Sequence, residues 1–302
     1  MNIMNTVKRT LLREGAYYAL ILPCVVVIFI FHYIPLYGLV IAFQRFNVAR
    51  GFSSPWVGLA NFRQIFSQVQ FTRTIYNTLF IATFKIIGHI IVPVVFALLL
   101  NEINKVSVKR IFQTLVYLPY FLSWVIMSGV FIDMLSLHGI VNEAIVASGH
   151  EPIQFLSDPK IFPWVMVVTD IWKGFGFGTV VYLAAVTNID PGLYESALVD
   201  GAGRWLQTFH ITIPLIAPTV VLMTVLSLGN ILNAGFDQVY NLYSPIVYST
   251  GDIIDTFVYR LGILQAQYSI ATAVGLFKSG VSAVLIGLSQ FMANRFAGYR
   301  VF

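Results

Sequence analysis

Six long apolar stretches dominate this chain, near residues 16–43, 75–100, 110–134, 162–187, 215–235 and 270–296. A helix crossing a hydrocarbon layer needs about 20 such residues, and each stretch supplies them. Only 10% of the residues are charged, against roughly 25% in soluble domains. A water-soluble fold with so little charge would expose large apolar patches and aggregate. In lipid every backbone polar group must be satisfied within the protein, so apolar runs of this length are expected to be helices. The expected fold class is an all-α polytopic membrane protein with about six transmembrane helices, read as a single domain over 1–302.

Lys8, Arg9 and Arg13 precede the first stretch. That stretch far exceeds the roughly 7–15 residues of a cleavable signal core, so it is expected to remain as a span. Pro23, Pro35, Pro93, Pro119, Gly174, Gly176 and Gly178 fall inside the stretches and mark candidate kinks, which membrane helices tolerate when neighbours satisfy the freed backbone. An even number of spans puts both termini on one side. That side would hold Lys8, Arg9, Arg13, Lys105, Lys109, Arg110, Arg204, Arg295 and Arg300, in short segments. The other would hold Arg45, Arg50, Arg63, Arg73, Lys160 and Arg260, spread over longer loops. The bias assigns the termini to the cytoplasm. It also accounts for the net charge of +5 without nucleic acid as a partner. The single cysteine, Cys24, lies within an apolar run and has no internal disulfide partner.

The loops expected outside, 44–74 and 236–269, keep many aromatic residues. Long loops of that kind usually form short packed elements. On the inner side, residues 188–214 make a polar insert where two spans would ordinarily be joined by a short turn. Asp190 is a candidate N-cap with Pro191 at the first helical position. A short helix should follow, with Glu195 in or near its first turn, where the helix dipole favours an acid. Gly201 and Gly203 would end it or admit a close partner. A second short helix is expected over 204–211, with Trp205, Leu206 and Phe209 on one apolar face, and Pro214 marks re-entry into the bilayer. From the residues alone a capped surface loop and a protein-docking element remain equally open.

Glu195-Ser196-Ala197, then Gly201, nine further residues, Ile211, one residue, Ile213 and Pro214 resemble the EAA signature of permease subunits of ABC importers. Ser196 stands where that family usually has Ala, and Ile213 where Leu is usual. The blocks Phe31-His32-Tyr33-Ile34-Pro35-Leu36-Tyr37-Gly38, Trp56-Val57-Gly58-Leu59-Ala60-Asn61-Phe62 and Tyr268-Ser269-Ile270-Ala271-Thr272-Ala273-Val274-Gly275-Leu276-Phe277-Lys278-Ser279 resemble the polysaccharide branch of carbohydrate permeases. So do Phe236-Asp237-Gln238 and Asn241-Leu242-Tyr243-Ser244-Pro245. The resemblance implies that Glu195, Ser196, Ala197, Asp200, Gly201, Ala202 and Pro214 belong to a coupling loop that sits in a cleft of an ATP-hydrolysing subunit. It further implies a second homologous permease, two ATP-binding subunits, an extracytoplasmic sugar-binding protein and a lipid surround in the cytoplasmic membrane. ATP and Mg would be held by the partner subunits. This chain has no Gly-x-x-x-x-Gly-Lys-Ser/Thr loop, and no cofactor of its own, catalytic residue or metal site is expected.

Lys85, His89, Asp170, Lys173 and Lys278 fall within expected spans. Each costs about 2.5–3.5 kcal/mol at bilayer depth on insertion scales, so each should face a partner, a cavity or the interface. Asp170 and Lys173, three apart on one helix face, are expected to neutralise each other. Lys85 and His89, four apart, cannot. The sharper reading has Lys85, Lys173 or Lys278 lend positive potential to a path for an anionic saccharide such as a uronate oligomer of the alginate type. Sugars stack their C–H faces on aromatic rings and need amide and carboxyl partners for their hydroxyls. Tyr117, Trp124, Trp172 and Tyr182, with Asn230, Asn233 and Asp237, supply that chemistry and complete the candidate substrate path. Aromatic residues in membrane proteins more often pack or anchor at the interface, and that reading stays open for each. An ion-coupled secondary transporter of a small polar solute is the competing function. It would not need the long inner insert and would often show internal repeats, which this chain lacks. A membrane enzyme needs convergent polar groups, and the five histidines are scattered.

Overall fold

The computed structural model describes residues 2–229 and 231–296, with side chains over 15–229 and 231–291. Apart from two isolated bridges, the ordered elements among these residues are helices. In chain order they are α1 (Asn2–Ile28), α2 (Ala60–Phe66), α3 (Val69–Asn101), α4 (Val106–Phe121), α5 (Trp124–Leu135), α6 (Ile140–Ala147) and α7 (Phe162–Thr187). There follow α8 (Pro191–Val199), α9 (Arg204–Gln207), α10 (Ile213–Leu228), α11 (Phe236–Leu242), α12 (Tyr248–Gly251), α13 (Ile254–Tyr259) and α14 (Tyr268–Phe296).

The first span keeps its expected extent, and the third and fifth differ from expectation in continuity or bounds. The first continues past α1 as a π-helical turn, Phe29–Tyr33, and a 3₁₀ stretch, Ile34–Phe43. Pro35 stands at the start of that tightened stretch, where its missing N–H is least costly. The run expected over 110–134 is not one helix. Leu122 and Ser123 are extended, and Ser123 opens α5 by accepting a bond from the Ile126 N–H. Pro119 sits in the last turn of α4, which removes one donor just before the break. The run expected over 215–235 starts earlier and ends sooner. Helical backbone is continuous from Arg204 through a π turn, Thr208–Thr212, into α10, and stops at Leu228. The separate helix expected over 204–211 is therefore the first part of that span, and Pro214 lies inside it.

Among the described residues, five stretches are long and apolar enough to cross a membrane: Gly15–Phe43, Val69–Asn101, Trp124–Ala147, Arg204–Leu228 and Tyr268–Phe291. Helix α7 forms where the sequence places it but is not among the five. It carries Asp170, Lys173 and three glycines, and its buried residues run from Phe162 to Val186. Protein rather than lipid surrounds much of this helix, which explains its lower hydropathy.

The chain divides into two compact units, Met1–Ile65 with Leu261–Leu276, and Phe66–Arg260 with Phe277–Phe302. In the first, an antiparallel bridge joins Gln44 to Trp56, and the Trp56 ring stacks on Phe43. Asn61 Nδ2 closes this hairpin by donating to the Ala42 and Gln44 carbonyls at 2.8 and 3.0 Å. The Phe46 N–H donates to Ser269 Oγ at 2.9 Å.

In the second unit α7 packs along α3. Lipid is as apolar as a leucine side chain, so close packing and polar contacts, not apolar burial, must join helices there. Gly176 shows this. A Cβ on it would lie 2.1 Å from the Val116 carbonyl oxygen of α4, so only glycine admits that approach. Gly174 and Gly178 similarly face His89 and Pro93. The three glycines expected to kink α7 are contact points in an unbroken helix. Short helices α11 to α13 fold against α3. Asn77 Nδ2 donates to the Asp252 carbonyl and the Ile254 N–H donates to Thr78 Oγ1. A buried Asp252–Arg260 ion pair, with Arg260 over the Tyr248 ring, holds that cap together.

Candidate functional site

The inner insert folds as a capped helix with an exposed surface. Asp190 Oδ1 accepts the Gly192 N–H at 2.9 Å and Pro191 opens α8. At the other end the Gly201 N–H donates to the Leu198 carbonyl and the Ala202 N–H to the Ala197 carbonyl. Gly201 holds φ +78°, so this is a Schellman stop that glycine serves best. Asp200 is the C-cap residue. Glu195 lies one residue past the first turn, near it as expected. Glu195, Ser196, Asp200 and Gly201 are exposed, and Ala197 and Ala202 are half-buried. Val199 is 88% exposed and Leu198 63%. An apolar, acid-bearing helix held from below by the Tyr194–Thr212 hydroxyl bond of 2.9 Å presents its outer face to something else. Pro214 is exposed further on, in the helix that follows.

The intramembrane charges pair differently from expectation. Asp170 does not form an ion pair with Lys173. Its Oδ1 lies 3.5 Å from Lys85 Nζ and its Oδ2 2.9 Å from His89 Nε2. The two groups of α3 that cannot neutralise one another both turn to α7. Lys85 is 5% exposed, and its ammonium also donates to the Ala234 carbonyl at 2.7 Å and to Gln238 Oε1. The ammonium thus makes two hydrogen bonds and one ion pair. Gln238 in turn donates to the Met166 carbonyl and to Thr169 Oγ1. A buried charge is tolerable only when paired and bonded in this way. Sequence reasoning missed Gln238, although it stands beside Asp237. A buried amide gives no periodic or charge signal.

Lys173 is the exception. Its ammonium donates to the Tyr120 carbonyl at 2.9 Å and lies 5.4 Å from the centroids of both the Tyr120 and Trp124 rings. Among the described residues no carboxylate stands within ion-pair distance of it. Tyr120 stacks on Phe177 at 4.3 Å. The break between α4 and α5 is what brings Tyr120 and Trp124 to the same lysine. Trp172 packs edge-on against Phe131 and is half exposed. Tyr182 is buried against Ala97 and Leu100, which takes it out of any path.

Residues 231–235, between α10 and α11, are non-helical. Irregular backbone in a membrane protein is tolerated where protein buries it or where it lines a cavity. Ala234 is buried and its carbonyl is met by Lys85; Gly235 holds φ +92°. Asn233 Oδ1 accepts from Lys278 Nζ at 2.7 Å, and Lys278 also pairs with Asp255 at 2.6 Å. Lys278 is therefore neutralised. Asp237 is exposed near the start of α11, Tyr117 is half-buried on α4, and Asn230 lies outside the described residues. The candidate path residues thus form two groups, Lys173 with Trp124, and Asn233 with Lys278.

The family described as "Binding-protein-dependent transport system inner membrane component" matches residues 90–298. Protein LplB of Bacillus subtilis is 40% identical over 286 residues, 94% of this chain and 90% of that protein. The polygalacturonan/rhamnogalacturonan transport system permease protein YteP of the same organism is 39% identical over 288 residues, 95% of this chain and 90% of that one. A solved bacterial alginate ABC transporter, in complex with a periplasmic protein carrying an alginate pentasaccharide, contains a chain that is 37% identical. The match covers 97% of this chain and 99% of that one, with a TM-score of 0.88.

Proposed function

The chain belongs to the family of inner membrane components of binding-protein-dependent transport systems, and from that premise we propose that it is the permease of an ATP-driven importer for a carboxylate-bearing oligosaccharide. The observation that carries the substrate class is Lys173, a cation with no carboxylate within ion-pair distance among the described residues, set between two aromatic rings. Aromatic faces suit the C–H faces of a sugar ring and an unpaired ammonium suits its carboxylate. The similar permease named for polygalacturonan and the similar transporter named for alginate handle polymers built with uronic acids, which supports this reading. Family membership displaces the ion-coupled alternative.

In this account both termini and α8 face the cytoplasm. ATP and Mg are bound by two partner subunits, each permease engaging one through its coupling helix. Glu195, Ser196, Ala197, Asp200, Gly201 and Ala202 form the contact here, and Pro214 sits in the helix that carries the motion onward. A second, homologous permease completes the path, and an extracytoplasmic binding protein delivers the sugar. The most apolar 18-residue window within Gly15–Phe43 has none of its residues buried, leaving it free for the second permease and lipid. ATP closes the partner subunits, α8 moves with them, and the path opens outward; hydrolysis reverses the change. Moving a two-state equilibrium from 1:99 to 99:1 takes about 5.5 kcal/mol of differential binding, and α8 is where that difference enters.

The test is uptake of tri-galacturonate and maltotriose by the reconstituted transporter. Lys173→Gln should lower acidic uptake by about tenfold or more, since a charge-assisted bond contributes about 1.5–3 kcal/mol, and leave the neutral rate unchanged. Equal loss for both sugars would overturn the assignment.

A further inference from the structure

The first unit holds a cavity that neither the coupling loop nor the candidate path uses. It has a volume of about 380 Å³ and is lined from two sequence-distant segments, by Arg45, Asn61 and Gln64 on one and by Gln267, Tyr268 and Ser269 on the other. The volume lies at the low end of the roughly 300–1,000 Å³ of small-ligand pockets, which suits one sugar unit rather than a chain.

Its polar groups are not all engaged in holding the fold. Asn61 commits its amide N–H groups to Ala42 and Gln44 and leaves its carbonyl oxygen to accept. Ser269 Oγ already holds the Phe46 N–H. The Arg45 guanidinium and the Tyr268 hydroxyl make no hydrogen bond, and Arg45 no ion pair, among the described residues. The Phe46 and Tyr268 rings meet edge-on at 6.0 Å, giving the wall an apolar side. Ala266, also in the lining, holds φ +53°, a left-handed conformation that a non-glycine residue keeps only when its surroundings enforce it.

The charge around this cavity has one sign. Residues 44–65 carry Arg45, Arg50 and Arg63 and no acid, and 261–276 carry no charged residue at all. The planar guanidinium fork fits a carboxylate through two parallel bonds, while amide and phenol groups fit sugar hydroxyls.

We propose that this cavity is an outward-facing subsite for a single uronate unit, with Arg45 holding the carboxylate and Tyr268 and Asn61 the ring hydroxyls. It rests on the substrate class and orientation proposed above. Its consequence is that the transporter binds an acidic saccharide end outside the transmembrane path, before transport and without the binding protein.

The experiment uses the complete transporter in nanodiscs without binding protein, with saturation-transfer NMR and calorimetry on tri-galacturonate and maltotriose. Tri-galacturonate should bind and maltotriose should not. Arg45→Gln should weaken acidic binding at least tenfold and Tyr268→Phe severalfold. Acidic binding unchanged in Arg45→Gln, or absent in the parent transporter, overturns the subsite. If Arg45→Gln instead lowers only the stimulation of ATPase by the binding protein, the cavity takes an acidic protein side chain and the proposal fails. The uptake comparison separates this from the broader reading. Preferential acidic uptake with Arg45-independent binding removes only the subsite, whereas uptake indifferent to charge removes the substrate class itself.

Discussion

Helix α8 and the polar knot between α3 and α7 are opposite solutions to placing charge in a greasy chain. In the knot, Lys85, Asp170, His89 and Gln238 satisfy one another and the Ala234 carbonyl within the protein. On α8, a helix capped at both ends, Glu195 and Asp200 are exposed beside exposed Leu198 and Val199, and neither acid forms an ion pair among the described residues. The knot is complete within the protein, whereas α8 leaves acidic and apolar side chains exposed. Under the proposed function stability and coupling reside in different places, and substitutions should separate them.

The largest effect is expected in the knot. Asp170→Ala leaves a buried lysine and a histidine without their acid, and breaking a buried pair from one side costs about 3–5 kcal/mol. Thermal unfolding of the purified transporter in detergent should show a loss of that order or no folded protein. The double change Lys85→Met with Asp170→Leu should recover much of it, because removing both charges removes the desolvation cost. A single variant as stable as the parent would mean the knot is not what holds α3 to α7.

Gly176→Leu comes next. Its side chain would collide with the Val116 backbone, and overpacking costs typically about 1–3 kcal/mol. The same thermal assay should show that loss, and an unchanged transition would deny the close approach of α4 and α7.

On α8 the pattern should invert. Gly201→Leu forces a left-handed conformation on a side chain, about 1–2 kcal/mol confined to a helix end, and Glu195→Ala costs less. Both should leave the transporter folded and hydrolysing ATP while sugar uptake falls steeply. The smallest effect belongs to Arg204→Ala. Its ion pair with Glu102, 2.9 Å long, is largely exposed, and such pairs contribute about 0–1 kcal/mol. A loss above 2 kcal/mol in thermal stability would show that this pair is shielded in the assembly.

The sequence disclosed these regions unequally, for physical reasons. The caps of α8 are local, written in Asp190, Pro191 and Gly201, and could be read residue by residue. Spans were legible from apolar length, except where a local signal outweighed it, as when Pro119 and Ser123 divided the third. The partners of Asp170 were not legible. Lys173 is its neighbour by helical spacing, yet Lys85 and His89 meet it from 81 or more residues away, and no periodicity encodes which helix packs on which. The same holds for Lys278, whose acid, Asp255, stands on α13. Of the three intramembrane lysines, Lys85 and Lys278 each meet an acid, and only then does Lys173 stand out as having none within ion-pair distance among the described residues.

The central claim is that work enters through α8. The most direct test is the ratio of sugar imported to ATP hydrolysed, measured in proteoliposomes holding both permeases, the ATPase subunits and the binding protein, for the parent and for Glu195→Ala. The account predicts that hydrolysis persists at near-parent rates while the ratio collapses toward zero. A ratio unchanged from the parent would contradict it.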